Sequence, residues 1–176
     1  MNKKLTNKKS EETMMISKKM QDALNKQMNL EFYSSYLYLS MALYFDTIKM
    51  HGASNWMQLQ SKEEYEHALK FMHYLGEVGA SISLEKIEKP KAKWGSALKV
   101  FEESLEHEMM ITDSINDIAT LALNEKDHAT GNFVSWFVKE QVEEVNAVQL
   151  IIEKFEIIGD SKGSLYMLDK ELGERA

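Results

Sequence analysis

The sequence contains no cysteine and only one proline among its 176 residues. The absence of cysteine excludes disulfide bonds, thiolate zinc sites, cysteine-held iron–sulfur clusters and a cysteine nucleophile. Any metal ion must therefore be bound by oxygen and nitrogen ligands. Because glycine is also scarce and 44% of the residues are hydrophobic, the composition favours one compact domain with a sizeable core.

Acidic residues outnumber basic residues by 28 to 21, and long apolar runs are lacking. The formal net charge of -7 argues against a nucleic-acid partner, because phosphate binding requires a concentrated basic surface. No apolar run approaches the roughly 18 residues that span a bilayer, so no membrane association is expected. Residues 1–14 lack the apolar segment of a secretory signal and are predicted to form a disordered leader before a domain at 15–176. The expected location is the cytoplasm.

Spacings of three and four residues between apolar positions recur along the chain and predict an all-α fold. The first of four long amphipathic helices is predicted to run from an N-cap at Ser17 to about Thr47. The second ends near Gly79 and follows after a short link, so the two are antiparallel. The apolar stripes of the third and fourth helices extend from Leu98 to Ala122 and from Phe133 to Ile158. Two polar residues, Ser35 and Gln60, are also predicted to face inward, on the first and second helices.

A segment of about 15 residues, SISLEKIEKPKAKWG, separates the second helix from the third. Extended chain of this length reaches roughly 50 Å, whereas a helix of about 27 residues is about 40 Å long. The segment can therefore cross the whole bundle and make the third helix parallel to the second, which predicts a four-helix bundle with one long crossover. Leu165, Leu168 and Leu172 then predict a short fifth C-terminal helix.

Each of the four stripes is interrupted by a glutamate near the middle of its helix: Glu31, Glu64, Glu108 and Glu144. Mid-helix positions lie at one level, so these carboxylates are expected to converge in the core, with His67 one turn from Glu64. A single inward glutamate would as readily reach solvent along its stem. Four in one layer require neutralisation by protons or a cation. Oxygen ligands with one imidazole favour iron or manganese, in an arrangement already described for di-metal bundles.

Four motifs resemble the bacterial non-haem ferritins: NLEFYSSYLYL, EEYEH, EHEMMIT and NFVSWFVKEQVEEV. The motifs occur in order with compatible spacing, and the resemblance runs from about Met15 to the C-terminus. It implies a ferritin-like bundle that stores iron and has ferroxidase activity. Ferrous iron would be oxidised by oxygen or hydrogen peroxide, and the ferric mineral would be deposited inside a homo-oligomeric shell of 24 subunits.

The resemblance also implies ligands and catalytic residues. A first iron would be held by Glu31, Glu64 and His67. A second would be held by Glu64, Glu108 and Glu144, with Gln141 nearby. A third, more weakly held iron would be bound by Glu63, Glu140, Glu143 and Glu144. Tyr38 matches a tyrosine beside the site and joins Glu31, Glu64, His67 and Glu108 as a catalytic candidate. Either Tyr38 or Trp136 could donate an electron to oxygen, although core packing is the favoured interpretation for Trp136.

The resemblance and the helical periodicity also predict the roles of Tyr65, Ala147 and the remaining histidines. Tyr65 stands where bacterioferritins have a haem-ligating methionine, so no haem is expected. Ala147 is expected to face inward, where a second Glu-x-x-His motif would have its histidine. Structural roles are expected for the remaining histidines: His51 and His128 in turns, His73 beside the core stripe, and His107 pointing off the face that carries Glu108.

Two other functional classes remain open from the sequence. A di-iron oxygenase or peroxidase would keep a permanently bound metal pair and act on an organic substrate. A helical interaction protein would bind no metal. A rubrerythrin is disfavoured because the chain has no cysteine for a rubredoxin-type iron.

Overall fold

Five α-helices form within residues 15–159 and 161–175, which are the residues that the computed structural model describes. In chain order they are α1 (Lys18–Thr47), α2 (His51–Glu77), α3 (Ala97–Glu125), α4 (His128–Ile158) and α5 (Lys162–Leu172). No strand occurs in this part of the chain. The predicted all-α class and the fifth helix are confirmed, whereas the predicted leader at 1–14 lies outside the described residues. None of these helices has both the length and the apolar character needed to cross a membrane.

Short polar side chains mark the start of four helices, and each accepts a hydrogen bond from a backbone N–H of the first turn. Ser17 accepts from Met20 at 3.0 Å, in agreement with the predicted N-cap. The corresponding residues are Ser96 for α3, Asp127 for α4 and Ser161 for α5. The start of α2 lacks such a side chain of its own. Asp169 of α5 supplies it instead, because its Oδ1 accepts from the backbone N–H of Ala53 at 2.9 Å.

The connection between α2 and α3 is an extended strap, residues 80–94, that runs along α1. Asn25 and Asn29, one turn apart near the start of α1, hydrogen-bond through their carboxamides to the backbone of the first strap residues. Near the other end of α1, Ser40 Oγ donates to the carbonyl of Lys91 at 2.7 Å. The strap therefore follows α1 for most of its length. This path returns the chain to the end of the bundle where α2 began, which confirms the single long crossover.

Apolar side chains pack in two clusters, one at each end of the bundle. The cluster where α1 ends includes Phe45 and Phe101, whose ring centroids are 5.6 Å apart. The cluster where α1 begins includes the stacked rings of Phe71 and Phe137, with centroids 4.3 Å apart. A layer of buried polar residues separates the two clusters on all four long helices. That layer contains the glutamates predicted from the mid-helix positions.

Two predicted inward positions are wrong. Ser34 is buried and Ser35 only partly so, while Val148 is buried and Ala147 is exposed. In an α-helix, a residue three positions further along lies about 60° to one side of the starting residue, and a residue four positions further along lies about 40° to the other side. The neighbouring helices decide which side faces inward, and the decision differs between α1 and α4.

The helix α5 packs across the start of α2. Leu168 and Leu172 are buried in the adjoining apolar cluster, as the predicted stripe of α5 required. At the crossing point, a Cβ on Gly52 would lie 1.6 Å from the carbonyl oxygen of Asp169. Only glycine fits at this position, because any larger residue would push α5 away from α2.

Candidate metal centre

The polar layer brings together one glutamate from each long helix and one histidine. Glu31 and Glu108 expose 1% of their surface, Glu64 2%, His67 4% and Glu144 7%. No lysine or arginine is among the buried residues of the described chain. Only imidazole groups could therefore supply positive charge within the layer, so four buried carboxyl groups depend on protons or on bound cations.

One group of possible ligands in the layer consists of Glu31, Glu64 and His67. One ligand atom from each lies within 4.8 Å of the others. His67 Nδ1 is 3.5 Å from Glu64 Oε2. Gln27 Nε2 donates to Glu31 Oε1 at 2.8 Å, whereas Glu31 Oε2 is buried without a hydrogen-bond partner. Carboxylate oxygens with one imidazole suit ferrous iron, so these three residues could hold such an ion.

Glu108 lies on the opposite side of the layer, on α3. Its Oε1 accepts a hydrogen bond from the Tyr38 hydroxyl, and its Oε2 accepts one from Gln141 Nε2 at 3.1 Å. Tyr38 and Gln141 thus contact the glutamate that the resemblance places at the second iron position. Among the described residues, Glu108 belongs to neither group whose ligand atoms lie within 4.8 Å of one another. Each oxygen of Glu108 accepts one of these hydrogen bonds and keeps a further lone pair that a cation could share.

Gln60 connects two of the glutamates. Its Nε2 donates to Glu64 Oε1 at 3.0 Å and to Glu144 Oε2 at 2.7 Å. The periodicity predicts an inward position for Gln60 but no role for it, and neither Gln60 nor Gln27 is marked as functional by the ferritin-like motifs. Both glutamines precede a glutamate of the layer by four residues. This repeated Gln-x-x-x-Glu spacing puts amide and carboxylate on one helix face and was the available signal.

Burial and mutual repulsion divide the carboxyl groups into two kinds. Desolvation and the charge of Glu64 raise the pKa of Glu31 and of Glu108 well above the usual range, and raise that of Glu144 to about 7. Burial also opposes ionisation of Glu64, but the hydrogen bond and charge of His67 bring its pKa below the usual value. Glu64 in turn holds the pKa of His67 above its usual value despite burial. The layer thus contains one ion pair among carboxyl groups that favour protonation.

A second group of possible ligands lies at the edge of the layer. Ligand atoms of His67, Glu140 and Glu144 lie within 4.8 Å of one another. Glu140 is partly buried. The resemblance assigned Glu140 and Glu144 to the third iron position but did not include His67 there. Because His67 also belongs to the first group, its imidazole is a possible ligand in both groups.

The other two glutamates implied for the third position have basic partners. Glu63 forms an ion pair with Arg175, which follows α5. Glu143 lies 3.6 Å from Lys139, one turn earlier on α4. Neither glutamate belongs to the two groups of clustered ligand atoms. Arg175 was not anticipated from the sequence, because it lies 112 residues from Glu63 along the chain.

Two aromatic side chains near the layer differ from expectation. Trp136 is 39% exposed, with Lys70 Nζ 3.4 Å from its ring centroid, so the favoured assignment to core packing is wrong. Its ring centroid lies 5.4 Å from that of His67. His107 does not point away from the core: it is buried, and its Nε2 is 2.7 Å from Ser34 Oγ.

The three remaining histidines lie on the surface. His51 and His128 are the first residues of α2 and α4, rather than residues of turns, and both are exposed. His73 is exposed on α2. Among the described residues, none of the three belongs to a group of clustered ligand atoms.

Comparison with known proteins identifies the family. Residues 21–158 match the ferritin-like domain. A bacterial non-haem ferritin of Bacteroides fragilis is 39% identical over 92% of this chain and 100% of its own length, and one of Staphylococcus aureus is 37% identical over 92% of this chain and 97% of its own. The crystal structure of an open-pore ferritin from the archaeon Archaeoglobus fulgidus is 48% identical, covers 92% of this chain and 99% of its own, and superposes with a TM-score of 0.90. The bundle with its crossover and fifth helix therefore belongs to the ferritin family.

Proposed function

We propose that the protein is an iron-storage ferritin with ferroxidase activity at the carboxylate layer. The observation that carries the proposal is the buried set of Glu31, Glu64 and His67, with Glu31 Oε2 free of hydrogen bonds. These are hard oxygen ligands with one imidazole, which suit ferrous iron as a substrate. Glu64 is the natural bridging ligand, because its lowered pKa keeps it ionised between carboxyl groups on both sides.

The proposed reaction requires two ferrous ions side by side. Each gives one electron to the same oxygen molecule, which takes up two protons and becomes hydrogen peroxide. A further pair of ferrous ions can reduce the peroxide, with two more protons, to two water molecules. Pairing the ions avoids release of a one-electron oxygen radical. Glu31, Glu64 and His67 hold the first ion, and Glu108 and Glu144 hold the second.

Tyr38 has a defined place in this proposal. Burial and the charge of Glu108 raise the pKa of the Tyr38 hydroxyl well above the usual value, so the phenol stays protonated. It donates a hydrogen bond to Glu108. The hydrogen bond orients Glu108 toward the layer. Tyr38 is also buried and hydrogen-bonded to Glu108, a proposed ligand of the second ion, and is a candidate electron donor to the oxidant.

We further propose that the chain assembles into a hollow homo-oligomeric shell and stores ferric mineral inside it in the cytoplasm. The support is similarity to ferritins over nine-tenths of the chain, at 48% identity for the archaeal structure. The described surface also carries large apolar side chains on one face of α1, among them Tyr36, Leu39 and Leu43. Exposed apolar faces of this kind are typical of surfaces that subunits cover.

Iron loading tests the proposal. Ferrous iron is added in air in successive small portions, and particle mass, protein-bound iron and oxygen consumption are followed. A ferritin continues to take up iron far beyond two ions per chain without a change in shell size. Uptake that stops at a fixed pair per chain would instead identify a di-iron oxygenase or peroxidase, and no uptake would identify a helical interaction protein.

A further inference from the structure

The end of the chain reaches the carboxylate layer from outside the four-helix bundle. Arg175 follows α5, and its guanidinium carbon lies 4.4 Å from the centroid of the Trp56 ring. One guanidinium nitrogen donates to Gln60 Oε1 at 2.9 Å, and the other pairs with the Glu63 carboxylate. Gln60 and Glu63 are separated by 115 and 112 residues from Arg175 in sequence. The contacts therefore depend on how α5 is seated on α2.

The contact with Gln60 determines how its amide is oriented. A guanidinium has donors and no acceptor, so the atom of Gln60 that faces Arg175 must be the carbonyl oxygen. The amide nitrogen must then face the layer, where it donates to both Glu64 and Glu144. An inverted amide would place an oxygen against two carboxyl groups and an NH₂ group against a cation. Arg175 thus acts on two glutamates of the layer without touching them.

The contact with Glu63 acts on the outer edge of the centre. Glu63 lies close enough to Glu144 for its charge to contribute to the environment of that carboxyl group. The resemblance places Glu63 beside Glu140 and Glu144, so a cation held by His67, Glu140 and Glu144 would attract its carboxylate. The guanidinium opposes this attraction, because it pairs with one oxygen of Glu63 and offsets its negative charge. Arg175 and the edge cation therefore compete for one carboxylate.

We infer that Arg175 is a positioning residue of the metal centre: through Gln60 and Glu63, the segment after α5 limits how tightly a cation binds at the edge formed by His67, Glu140 and Glu144. The inference rests on the proposed function. It gives the fifth helix a role inside its own bundle, because displacement of this helix would free Glu63 and release the amide of Gln60.

The test is calorimetric titration of the metal-stripped, fully assembled protein with Zn²⁺, which binds oxygen and nitrogen ligands and has no redox chemistry. Arg175→Gln should bind its weakest bundle-bound zinc ion about tenfold more tightly than wild type, while the tightest ion is changed less than about threefold. Arg175→Lys keeps the charge and should stay within about threefold of wild type. Lys154→Gln is the matched control, because it removes one positive charge and the ion pair of α4 with Glu171 of α5, away from the layer.

The outcomes separate the inference from a general loosening of the structure. Loss of a merely structural contact would weaken zinc binding in Arg175→Gln, whereas the competition predicts a gain in affinity. An unchanged weak site in Arg175→Gln, or the same gain in Lys154→Gln, overturns the role of Arg175 and leaves the proposed function intact. A wild-type protein without any tightly bound zinc overturns the proposed function itself and this inference with it.

Discussion

The glutamates of the metal centre form an inner set and an outer set that differ in what balances their charge. The inner set is Glu31, Glu64, Glu108 and Glu144, and the outer set is Glu63, Glu140 and Glu143. Two members of the outer set contact basic side chains, from Arg175 and Lys139. Within the described residues, no lysine or arginine forms an ion pair with a member of the inner set.

This difference in counter-charge predicts two kinds of cation binding within one bundle. The inner set is desolvated and short of positive charge, so Glu31, Glu108 and Glu144 favour the protonated form, and an incoming cation must displace those protons. The members of the outer set that have basic partners attract a cation less strongly, because those partners already offset part of their charge. We therefore expect strong, proton-releasing binding inside and weak, exchangeable binding at the edge, which suits a centre through which iron passes.

The largest effect is expected from Glu64→Gln. The substitution keeps the shape of the side chain but removes the ionised member of the inner set, which is the proposed shared ligand of two ferrous ions. The initial rate of iron oxidation should fall about a thousandfold, or about 4 kcal/mol in the activation barrier. Stopped-flow absorbance after mixing with ferrous iron in air measures the rate.

Glu88→Gln is the control for this loss of one charge. Glu88 is an exposed strap residue paired with Lys86, and its substitution should leave the rate unchanged. If Glu64→Gln oxidises iron at the wild-type initial rate, Glu64 does not bridge two ions and the inner set is not the ferroxidase site.

The second effect is a dependence of stability on pH in the metal-stripped protein. Glu144, Glu31 and Glu108 have pKa values raised above the ordinary 4.5, so the folded protein binds more protons than the unfolded chain above about pH 4.5. The free energy of unfolding should therefore fall as the pH rises from 6 to 8. For Glu144, a pKa of about 7 against 4.5 corresponds to about 3 kcal/mol over the whole range from below pH 4.5 to above pH 7. His67 adds to this trend, because its pKa is also raised.

Thermal unfolding at a series of pH values measures this trend. Glu144→Gln should make the slope smaller, because the amide does not titrate and its oxygen can still accept from Gln60, while Glu31, Glu108 and His67 keep contributing. Saturation with Zn²⁺ should reverse it, since metal binding requires ionised carboxylates. Glu64 has a lowered pKa and contributes in the opposite sense, but only as the pH falls below about 4.5. A metal-stripped protein that becomes more stable between pH 6 and 8 would contradict the protonated inner set.

The third effect concerns how the outer set receives its counter-charge. Gly52→Ala would place a Cβ 1.6 Å from the Asp169 carbonyl oxygen and push α5, with the following Arg175, away from α2. We expect a loss of about 2 kcal/mol in the free energy of unfolding, typical of overpacking at a close contact. Urea unfolding measures the loss, and hydrogen exchange reports whether α5 is the element released.

Gly76→Ala is the matched control on the same helix. A Cβ at Gly76 meets no atom within 4 Å, and alanine is the better helix former by about 1 kcal/mol. This variant should be as stable as wild type or more so. Equal destabilisation by both substitutions would show that the close approach of α5 is not the reason for the loss at Gly52.

Most of the fold follows from local patterns in the sequence. The cap at Ser17, the helical periodicity and the length of the strap depend on residues that are near one another in the chain, and each prediction is confirmed. The ferritin resemblance is confirmed by the match over residues 21–158. The common height of the inner glutamates along the bundle axis could be predicted, because the midpoints of helices of equal length lie at the same height whether the helices are parallel or antiparallel.

The remaining features depend on packing that local patterns do not determine. Whether Ala147 or its neighbour faces inward depends on how α4 is rotated against three other helices, and the prediction was wrong. The partners of Glu63 and Glu143 depend on side-chain positions and on the seat of α5. The amide of Gln60 acquires its role only when α5 brings Arg175 to it. The ligand assignments for the three iron positions remain predictions that the variants above test.

The smallest effect is expected from Glu143→Gln. The Glu143 side chain is 66% exposed and its partner Lys139 is more exposed still, so water screens the charge and the pair contributes less than about 1 kcal/mol. The initial oxidation rate should stay within about threefold of wild type. The change should appear in oxygen consumed per iron and in the rate of a second iron addition after a fixed rest, because an edge ligand affects how ferric iron leaves. Glu140→Gln is the matched neighbour, since Glu140 has a ligand atom within 4.8 Å of those of His67 and Glu144 and should produce the larger change of the two. If Glu143→Gln slows the first addition as strongly as Glu64→Gln does, exposure and counter-charge do not distinguish the two sets, and the edge takes part in the oxidation itself.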